Sequence, residues 1–477
     1  MKRLVILALT AAMLLASVAL AQAEVVVKAR GEFQVRAMWQ NNADLNKAQD
    51  GYDADDFNVD QRVRLDFRFV ANENLEGVFY MEYGDVSWGQ GGADTKMRLH
   101  DREVAIEVRR AYISWRWPDT DVLFNIGMQN IALPSAYSGS WILNDDVAAA
   151  TVSTPITDMI AVTAGYARPY NYSTDGASKG ADQIDLGFLA VPITPEGINF
   201  TPWFMYGYAG SNASNQLGDN GVPGAMQQGL FGVNNTGATE EGFNLYWAGA
   251  ALTVDMFDPI VVMADFNWGQ KTSSKDWLRR SGWFTDFAVK YTGIDFVTPS
   301  LVFAYGSGED DDPSNGSERM PALNYDGGWS VGTHFFGNGP LSTDIGEQAE
   351  MGFWTIGLQL EDMTFIDKLS HSLYFVYAQG TNDHNLTDEY NSRMSGASNS
   401  PGDGLGGIMY GRTLFDKDNL YEIDFNHQYQ IYDELAAILE LNWTYISYDE
   451  DTWEKIDSSY GGVQQYWGCT LGMLYNF

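Results

Sequence analysis

Apolar and polar residues alternate with a period of two in the segment VVVKARGEFQVRAMW, residues 25–39. The odd positions are apolar or small, whereas the even positions from Lys28 to Arg36 are charged or polar. Such alternation is typical of a β-strand with one apolar and one polar face. The pattern returns at 57–69, where Arg and Asp alternate with Phe, Val and Leu.

Eighteen segments along the chain have this strand character, and many have the roughly 9–11 residues that a tilted strand needs to cross a bilayer. Their connections differ in length. Short connections lie at 71–74, 118–120, 258–259 and 433–434, and long ones rich in Gly, Asn and Asp lie at 211–241, 308–350 and 381–418. Short turns at one end and long loops at the other are typical of outer-membrane barrels. The sequence therefore predicts an all-β fold, a transmembrane antiparallel up-and-down β-barrel of 18 strands, with 16 as the alternative count.

The first residues have the features of a secretory signal peptide. Lys2 and Arg3 precede an apolar stretch that ends at Leu20, and Ala21-Gln22-Ala23 is a cleavage motif of small residues. We predict a signal peptide at 1–23, with an uncleaved anchor as the alternative, and one transmembrane barrel domain at 24–477. No later apolar run reaches the roughly 18 residues of a membrane-spanning helix.

The last strand pattern shows which face meets lipid. The chain stops on Phe477, and this terminal alternation resembles the C-terminal sorting signal of Gram-negative outer-membrane barrels. The resemblance implies that the assembly machinery reads Met473, Tyr475 and Phe477. Only helices and closed barrels satisfy every backbone group in hydrocarbon, and the many charged residues of the polar faces could not all pack in a dry core. We therefore expect the apolar faces to contact lipid and the charged faces to line a water-filled lumen.

Basic side chains concentrate on the polar faces of the first strands. Same-face residues of a strand are roughly 6.5–7 Å apart and adjacent strands about 4.8 Å apart, so these side chains would form a basic wall. The candidate pore-lining residues are Lys28, Arg30, Arg36, Arg62, Arg64, Arg68, Arg110 and Arg116. The face assignment shifts near Arg109 and Arg110, which suggests a bulge.

The segment 130–147 follows Gly127-Met128-Gln129 and is too long for a turn. Here the chain resembles the trimeric porins of Gram-negative bacteria, most closely the large outer-membrane porins of sulfate-reducing bacteria. In that family a strand ending in Gly-Arg-Gln precedes a loop that folds into the barrel. The resemblance implies an inward-folded constriction loop whose carboxylates, Asp145 and Asp146, face the basic wall. Met128 stands where the family has arginine, which is a departure from the motif.

The same resemblance implies a homotrimer in the cell outer membrane, in contact with the lipid bilayer and lipopolysaccharide. Ala29, Gly31 and Ala37 lie on the outward face of the first strand, where small side chains would let subunits approach closely. Lipid contact would suit these residues equally well.

The composition narrows the possible functions. The chain has 63 acidic and 28 basic residues, which argues against a nucleic-acid partner and favours a cation-attracting exterior. The single cysteine, Cys469, allows no disulfide within the chain. The five histidines show no zinc-site spacing, and no Ser/His constellation shares a strand face, so we expect no enzymatic activity and no cofactor.

The predicted function is a porin, a water-filled channel for the passive diffusion of small hydrophilic solutes and ions. Charges on facing walls would create a transverse field, and size and charge would set selectivity. The alternatives are a substrate-specific anion channel and a structural or adhesive barrel with cation-binding acidic loops. Asp310, Asp311 and Asp312 are weak candidates for Ca²⁺ ligands, because their segment lacks the ligand spacing of an EF-hand loop.

Overall fold

The computed structural model describes residues 25–42, 45, 56–90, 96–99, 101–103, 106–171, 182–213, 242–312, 314–323, 329–332, 352–389, 410 and 413–477. The predicted signal peptide at 1–23 lies outside the described residues. No described helix is long and apolar enough to cross a membrane.

Eighteen antiparallel strands form one sheet, and pairing between its first and last strands closes it into a barrel. A separate ribbon of two short strands follows the third strand. The strands are β1 (Val26–Asn41), β2 (Asp56–Asn72), β3 (Leu75–Ser87), the ribbon β4 (Lys96–Arg98) and β5 (Asp101–Glu103), β6 (Ile106–Arg116), β7 (Leu123–Ala132), β8 (Asn144–Pro155), β9 (Ala161–Asn171), β10 (Gln183–Ala190), β11 (Ile198–Gly210), β12 (Gly242–Phe257), β13 (Ile260–Lys271), β14 (Arg280–Tyr291), β15 (Thr298–Gly306), β16 (Phe353–Ile366), β17 (Leu369–Gly380), β18 (Asn419–Tyr432), β19 (Leu435–Tyr448) and β20 (Gly462–Asn476).

The prediction of an 18-strand up-and-down barrel is confirmed, and the alternative of 16 strands is wrong. Each segment with strand character coincides with one barrel strand, because the period of two persists through all of them. The short connections join strands at one end of the barrel, which we call the short-turn end. The opposite end is the long-loop end.

The faces of the strands are as expected. Phe33 is exposed on the outside of β1, whereas its neighbour Gln34 is buried on the inside and lies opposite Arg62 of β2. Exposed outward residues on other strands include Ile113, Leu301 and Leu471. A closed barrel leaves no open sheet edge, so an apolar outer surface can meet lipid without unsatisfied backbone groups.

Phe477 forms hydrogen bonds with β1 where the pairing of β1 and β20 closes the barrel. Its backbone N–H donates to the carbonyl of Gly31, and its own carbonyl accepts from the N–H of Gly31, both at 3.0 Å. The Phe477 ring lies 6.0 Å from the ring of Phe33. A Cβ at residue 31 would come within 2.9 Å of the Phe477 ring and 2.5 Å of the Arg64 carbonyl oxygen. Gly31 is therefore required by contacts within one chain, whether or not subunits meet here.

An aromatic cluster, the clasp, closes the long-loop end of β18–β20. Trp453 is the last residue of the short helix α1 (Glu450–Trp453). Its ring packs on those of Tyr410 and Tyr448, with centroid distances of 5.0 and 5.3 Å. The buried carboxylate of Asp418 accepts hydrogen bonds from Phe415 N and Asp449 N at 2.8 Å and from Trp453 Nε1 at 2.9 Å. One carboxylate thus joins the turn at 415–418 to the segment 449–453 that contains α1.

The stability of the clasp should depend on pH through Asp418. Burial raises the pKa of Asp418 from the ordinary value of 3.8 to about 7, although its hydrogen-bond donors lower it. A raised pKa in the folded state means that the clasp is most stable below about pH 4 and loses stability as the pH rises towards 7. Hydrogen exchange of residues 449–461, corrected for intrinsic rates, should show this trend.

Asp418→Asn should remove the pH dependence between about 4 and 7, because the amide does not titrate. Asp433→Asn, at the short-turn end, is the matched control and should leave the dependence unchanged. An unchanged profile in Asp418→Asn would contradict the assignment.

Candidate functional site

The segment between β7 and β8, residues 133–143, folds into the barrel and forms the constriction loop. Its base is held by a hydrogen bond from Leu133 N to Leu143 O, 3.0 Å long. Its tip reaches Asp265 on β13, whose carboxylate accepts from Ala136 N at 2.8 Å and from Tyr137 N and Ser135 Oγ at 2.9 Å. The predicted inward-folded loop is therefore confirmed.

The loop spans the lumen to the opposite wall. Gln359 of β16 donates to the Tyr137 hydroxyl at 2.7 Å, and β16 lies nine strands from β7 in the ring of 18. Ser138 and Ser330 exchange hydrogen bonds of 2.6 and 2.9 Å. The loop thus has polar contacts both with the far wall and with a second inward segment at 329–332.

Apolar packing adds a second anchor to the loop. The ring of Trp141 lies 5.0 Å from Phe284, 5.2 Å from Trp329 and 5.9 Å from Phe353. All four rings are buried, so the interior of this barrel contains a small hydrophobic core. Large aromatic side chains dominate such packing because each removes much apolar surface from water. The constriction is a packed structure and not a solvated loop.

The arginines of β1, β2 and β6 form the predicted wall, and carboxylates of neighbouring strands hold them. Glu82 of β3 binds Arg64 at 2.6 Å and Arg109 at 2.9 Å. Asp146 of β8 binds Arg110 at 2.6 Å and Arg109 at 2.9 Å. Further pairs include Arg30–Asp66 at 2.8 Å, Arg68–Glu76 at 3.0 Å, Arg62–Glu32 at 3.3 Å and Arg36–Asp60 at 3.7 Å. The wall is an ion-pair network of both signs.

Free space lies against this wall. A cavity of about 360 Å³ is lined by residues that include Arg30, Arg64, Arg68 and Arg110, together with Tyr80 and Tyr112. The guanidinium of Arg110 lies 5.2 Å from the centre of the Tyr80 ring, a cation–π distance. A solute in this cavity would meet fixed charges and aromatic faces together.

Two predicted pore residues lie apart from the ion-pair network. Lys28 is exposed near the start of β1, at the short-turn end. Arg116, the last residue of β6, pairs with the exposed Asp121 at 3.5 Å. Both therefore lie at the short-turn end of the barrel, away from the constriction loop.

The placement of Asp145 and Asp146 in the constriction loop is wrong. Both belong to β8, because this strand begins at Asn144 and continues the ladder with β7. Asp146 is part of the arginine wall itself, and Asp145 is exposed. The carboxylates across the lumen come instead from strands of the far wall, and they are Asp265 of β13 and Asp286 of β14. Glu422 and Asp424 of β18 and Glu440 of β19 are also buried, but these two strands lie within three strands of β1 in the ring.

Sequence reasoning also missed Arg109. The bulge expected near it is present, since the register of β3 and β6 shifts between Tyr80 and Met81. This shift brings both Arg109 and Arg110 to Asp146. The interrupted alternation at the Arg109-Arg110 dipeptide was the available signal.

The candidate calcium ligands are exposed, and their carboxylates accept hydrogen bonds from their own loop. Asp310 Oδ1 accepts from Asp312 N at 2.8 Å, and Asp312 Oδ1 accepts from Ser314 N at 2.9 Å. Asp311 is exposed between them. Calcium binding by Asp310, Asp311 and Asp312 stays a prediction.

Comparison with solved structures identifies proteins of the same fold. OccAB4 of Acinetobacter baumannii superposes with a TM-score of 0.52 at 11% identity, covering 95% of this chain and 99% of that one. OprD of Pseudomonas aeruginosa gives 0.51 at 12% identity, covering 96% and 97%. No family model and no curated protein sequence matches the chain. The likeness extends over the whole barrel and is one of fold.

Proposed function

We propose that the protein is an outer-membrane porin that passes small hydrophilic solutes and ions by passive diffusion. The observation that carries this proposal is a charged lumen crossed by a loop anchored on the opposite wall. The apolar outer surface is suited to lipid and the charged interior to water. Structural neighbours of the OprD/Occ family are themselves outer-membrane porins, which supports the same assignment here.

The mechanism is selection by size and by fixed charge. Arginines on one wall and carboxylates on the other orient a dipolar solute as it passes the constriction, and no bond is made or broken. The carboxylates within the arginine wall reduce its net positive charge, so the wall favours anions less than a bare arginine ladder would. A substrate-specific channel is the second candidate, because the cavity beside Arg64 and Tyr80 presents both charged groups and an aromatic ring to a solute.

Three further expectations belong to this proposal. They are a homotrimeric assembly, contact with lipopolysaccharide, and kinship with the porins of sulfate-reducing bacteria. Chemical crosslinking of the protein in native membranes would test the first, with a three-subunit band as the expected product.

Single-channel recording of the refolded protein in a planar bilayer under a salt gradient tests the function. A general porin should conduct without saturation by solute, whereas a substrate-specific channel should be blocked by its own solute. Grouped steps of three would support a trimer. Folded protein that does not conduct would overturn the proposal and favour the structural or adhesive barrel.

Glu82→Gln should shift the reversal potential towards anion selectivity, and Arg64→Gln should shift it towards cations. A unit charge about 7 Å from a passing ion in water contributes roughly 0.6 kcal/mol, or about a threefold change in local ion concentration. Glu82→Gln should fold, because Arg64 still lies 3.8 Å from Glu32 and Arg109 still binds Asp146. Arg64→Gln should fold as well, because Glu82 still binds Arg109. Glu434→Gln, exposed in a short turn, is the control. Identical reversal potentials in all three variants would show that ions do not pass along this wall.

A further inference from the structure

Three metal-ligating side chains meet at the long-loop end, outside the lumen site. His384 Nδ1 lies 2.9 Å from Asp416 Oδ1 and 3.7 Å from Asp383 Oδ1. One donor atom from each side chain lies within 4.8 Å of the other two, and no other such group of three occurs among the described residues. All three side chains retain partial exposure, so the cluster is open to solvent.

A buried asparagine fixes the backbone beneath this cluster. Asn382 is 2% exposed, and its Nδ2 donates to Leu414 O at 2.8 Å and to Gly352 O at 3.2 Å. Its Oδ1 accepts from Glu309 N at 3.0 Å, and its carbonyl accepts from Asp416 N at 2.8 Å. Two segments distant in sequence are thereby held side by side, which presents their ligands in a fixed arrangement.

We propose that Asp383, His384 and Asp416 bind a divalent transition-metal ion of the Zn²⁺ class. Ligands about 2.1 Å from a tetrahedral ion lie about 3.4 Å from one another. The observed separations of 2.9 and 3.7 Å lie on either side of this value, so small side-chain rotations would complete the site. The exposed side of the cluster leaves room for water as a fourth ligand.

The donor set selects the class of metal. One imidazole nitrogen with two carboxylates suits Zn²⁺ and its neighbours, whereas Ca²⁺ and Mg²⁺ take oxygen ligands. Asn385 orients one ligand by donating from its backbone N at 2.8 Å and from Nδ2 at 2.9 Å to Asp383 Oδ1. Outer contacts of this kind position metal-binding carboxylates. Sequence spacing gave no sign of the site, because Asp416 lies 32 residues after His384.

Zinc titration of the folded, full-length protein in detergent tests the proposal. After treatment with EDTA and its removal, isothermal titration with ZnCl₂ should show one ion bound per chain. His384→Ala should weaken binding by at least the roughly 10–100-fold that loss of an outer contact costs. Asp416→Asn should weaken it similarly, and X-ray absorption at the zinc edge should show one nitrogen ligand from imidazole.

A second histidine pair provides the matched control. His371 on β17 and His427 on β18 have their Nδ1 atoms 2.6 Å apart, so this pair is where zinc would bind if paired imidazoles alone were sufficient. His371→Ala should leave the measured affinity unchanged. Loss of binding in His371→Ala but not in His384→Ala would overturn the proposal, as would the absence of zinc binding to the unaltered protein. Unheated gel mobility confirms that each variant is folded, so neither result can be attributed to a lost barrel.

Discussion

Asp265→Ala should release the tip of the constriction loop and raise the single-channel conductance several-fold. The Asp265 carboxylate accepts from Ala136 N, Tyr137 N and Ser135 Oγ, all at 2.8 or 2.9 Å. Hydrogen bonds to a charged acceptor contribute about 1.5–3 kcal/mol each, so losing the group should cost the docked tip roughly 3 kcal/mol or more. That cost shifts the ratio of docked to released tips by more than about 100-fold.

The barrel should still fold in this variant, because the packing of Trp141 on Phe284 and Trp329 remains. Asp255→Ala is the control, since Asp255 is exposed near the short-turn end of β12. Planar-bilayer recording should show larger and noisier openings in Asp265→Ala and unchanged openings in Asp255→Ala. Equal conductance in the two variants would show that the loop does not limit the flow.

The strands were predictable because alternation is a local property of the sequence. Each barrel strand has one apolar and one polar face, and this constraint is visible without any knowledge of its neighbours. The assignment of Arg62 and Arg64 to the lumen follows from it directly. Lipid on one side and water on the other impose the same rule on every strand, so the fold could be derived almost completely.

The partners of the arginines were not predictable, because they depend on the register between strands. An alternation with a period of two shows which face of its strand a residue occupies, but it does not show which residue lies opposite on the neighbouring strand. A bulge near Met81 changes both the face and the opposite residue. The anchor of the constriction loop is also non-local, since Asp265 lies 129 residues after Ala136. Contacts of this kind form only when the barrel closes. The sequence therefore indicated a charged lumen without indicating how its charges are paired.

Glu309→Gln should loosen the segment 317–323, which also packs inside the barrel. Glu309 and Arg319 form an ion pair of 2.8 Å in which the side chains are 4% and 1% exposed. Removing one partner of a buried pair leaves an uncompensated charge and costs about 3–5 kcal/mol. The pair fixes the segment that begins at Ser317, whose hydroxyl donates to Glu309 Oε1 at 2.5 Å. We expect local opening of this segment rather than unfolding of the barrel.

Limited proteolysis of the folded protein should detect this opening as cleavage within residues 308–323. Where cleavage follows the population of the open form, 3–5 kcal/mol corresponds to a rate increase of about two to four orders of magnitude. Asp276→Asn is the control, because its 2.8 Å pair with Arg279 is exposed and surface pairs contribute less than about 1 kcal/mol. The same segment contributes Met320 to the lumen core that contains Trp141. Glu309→Gln should therefore also increase open-channel noise, whereas quiet openings with rapid cleavage would show that the constriction loop is held by the barrel wall alone.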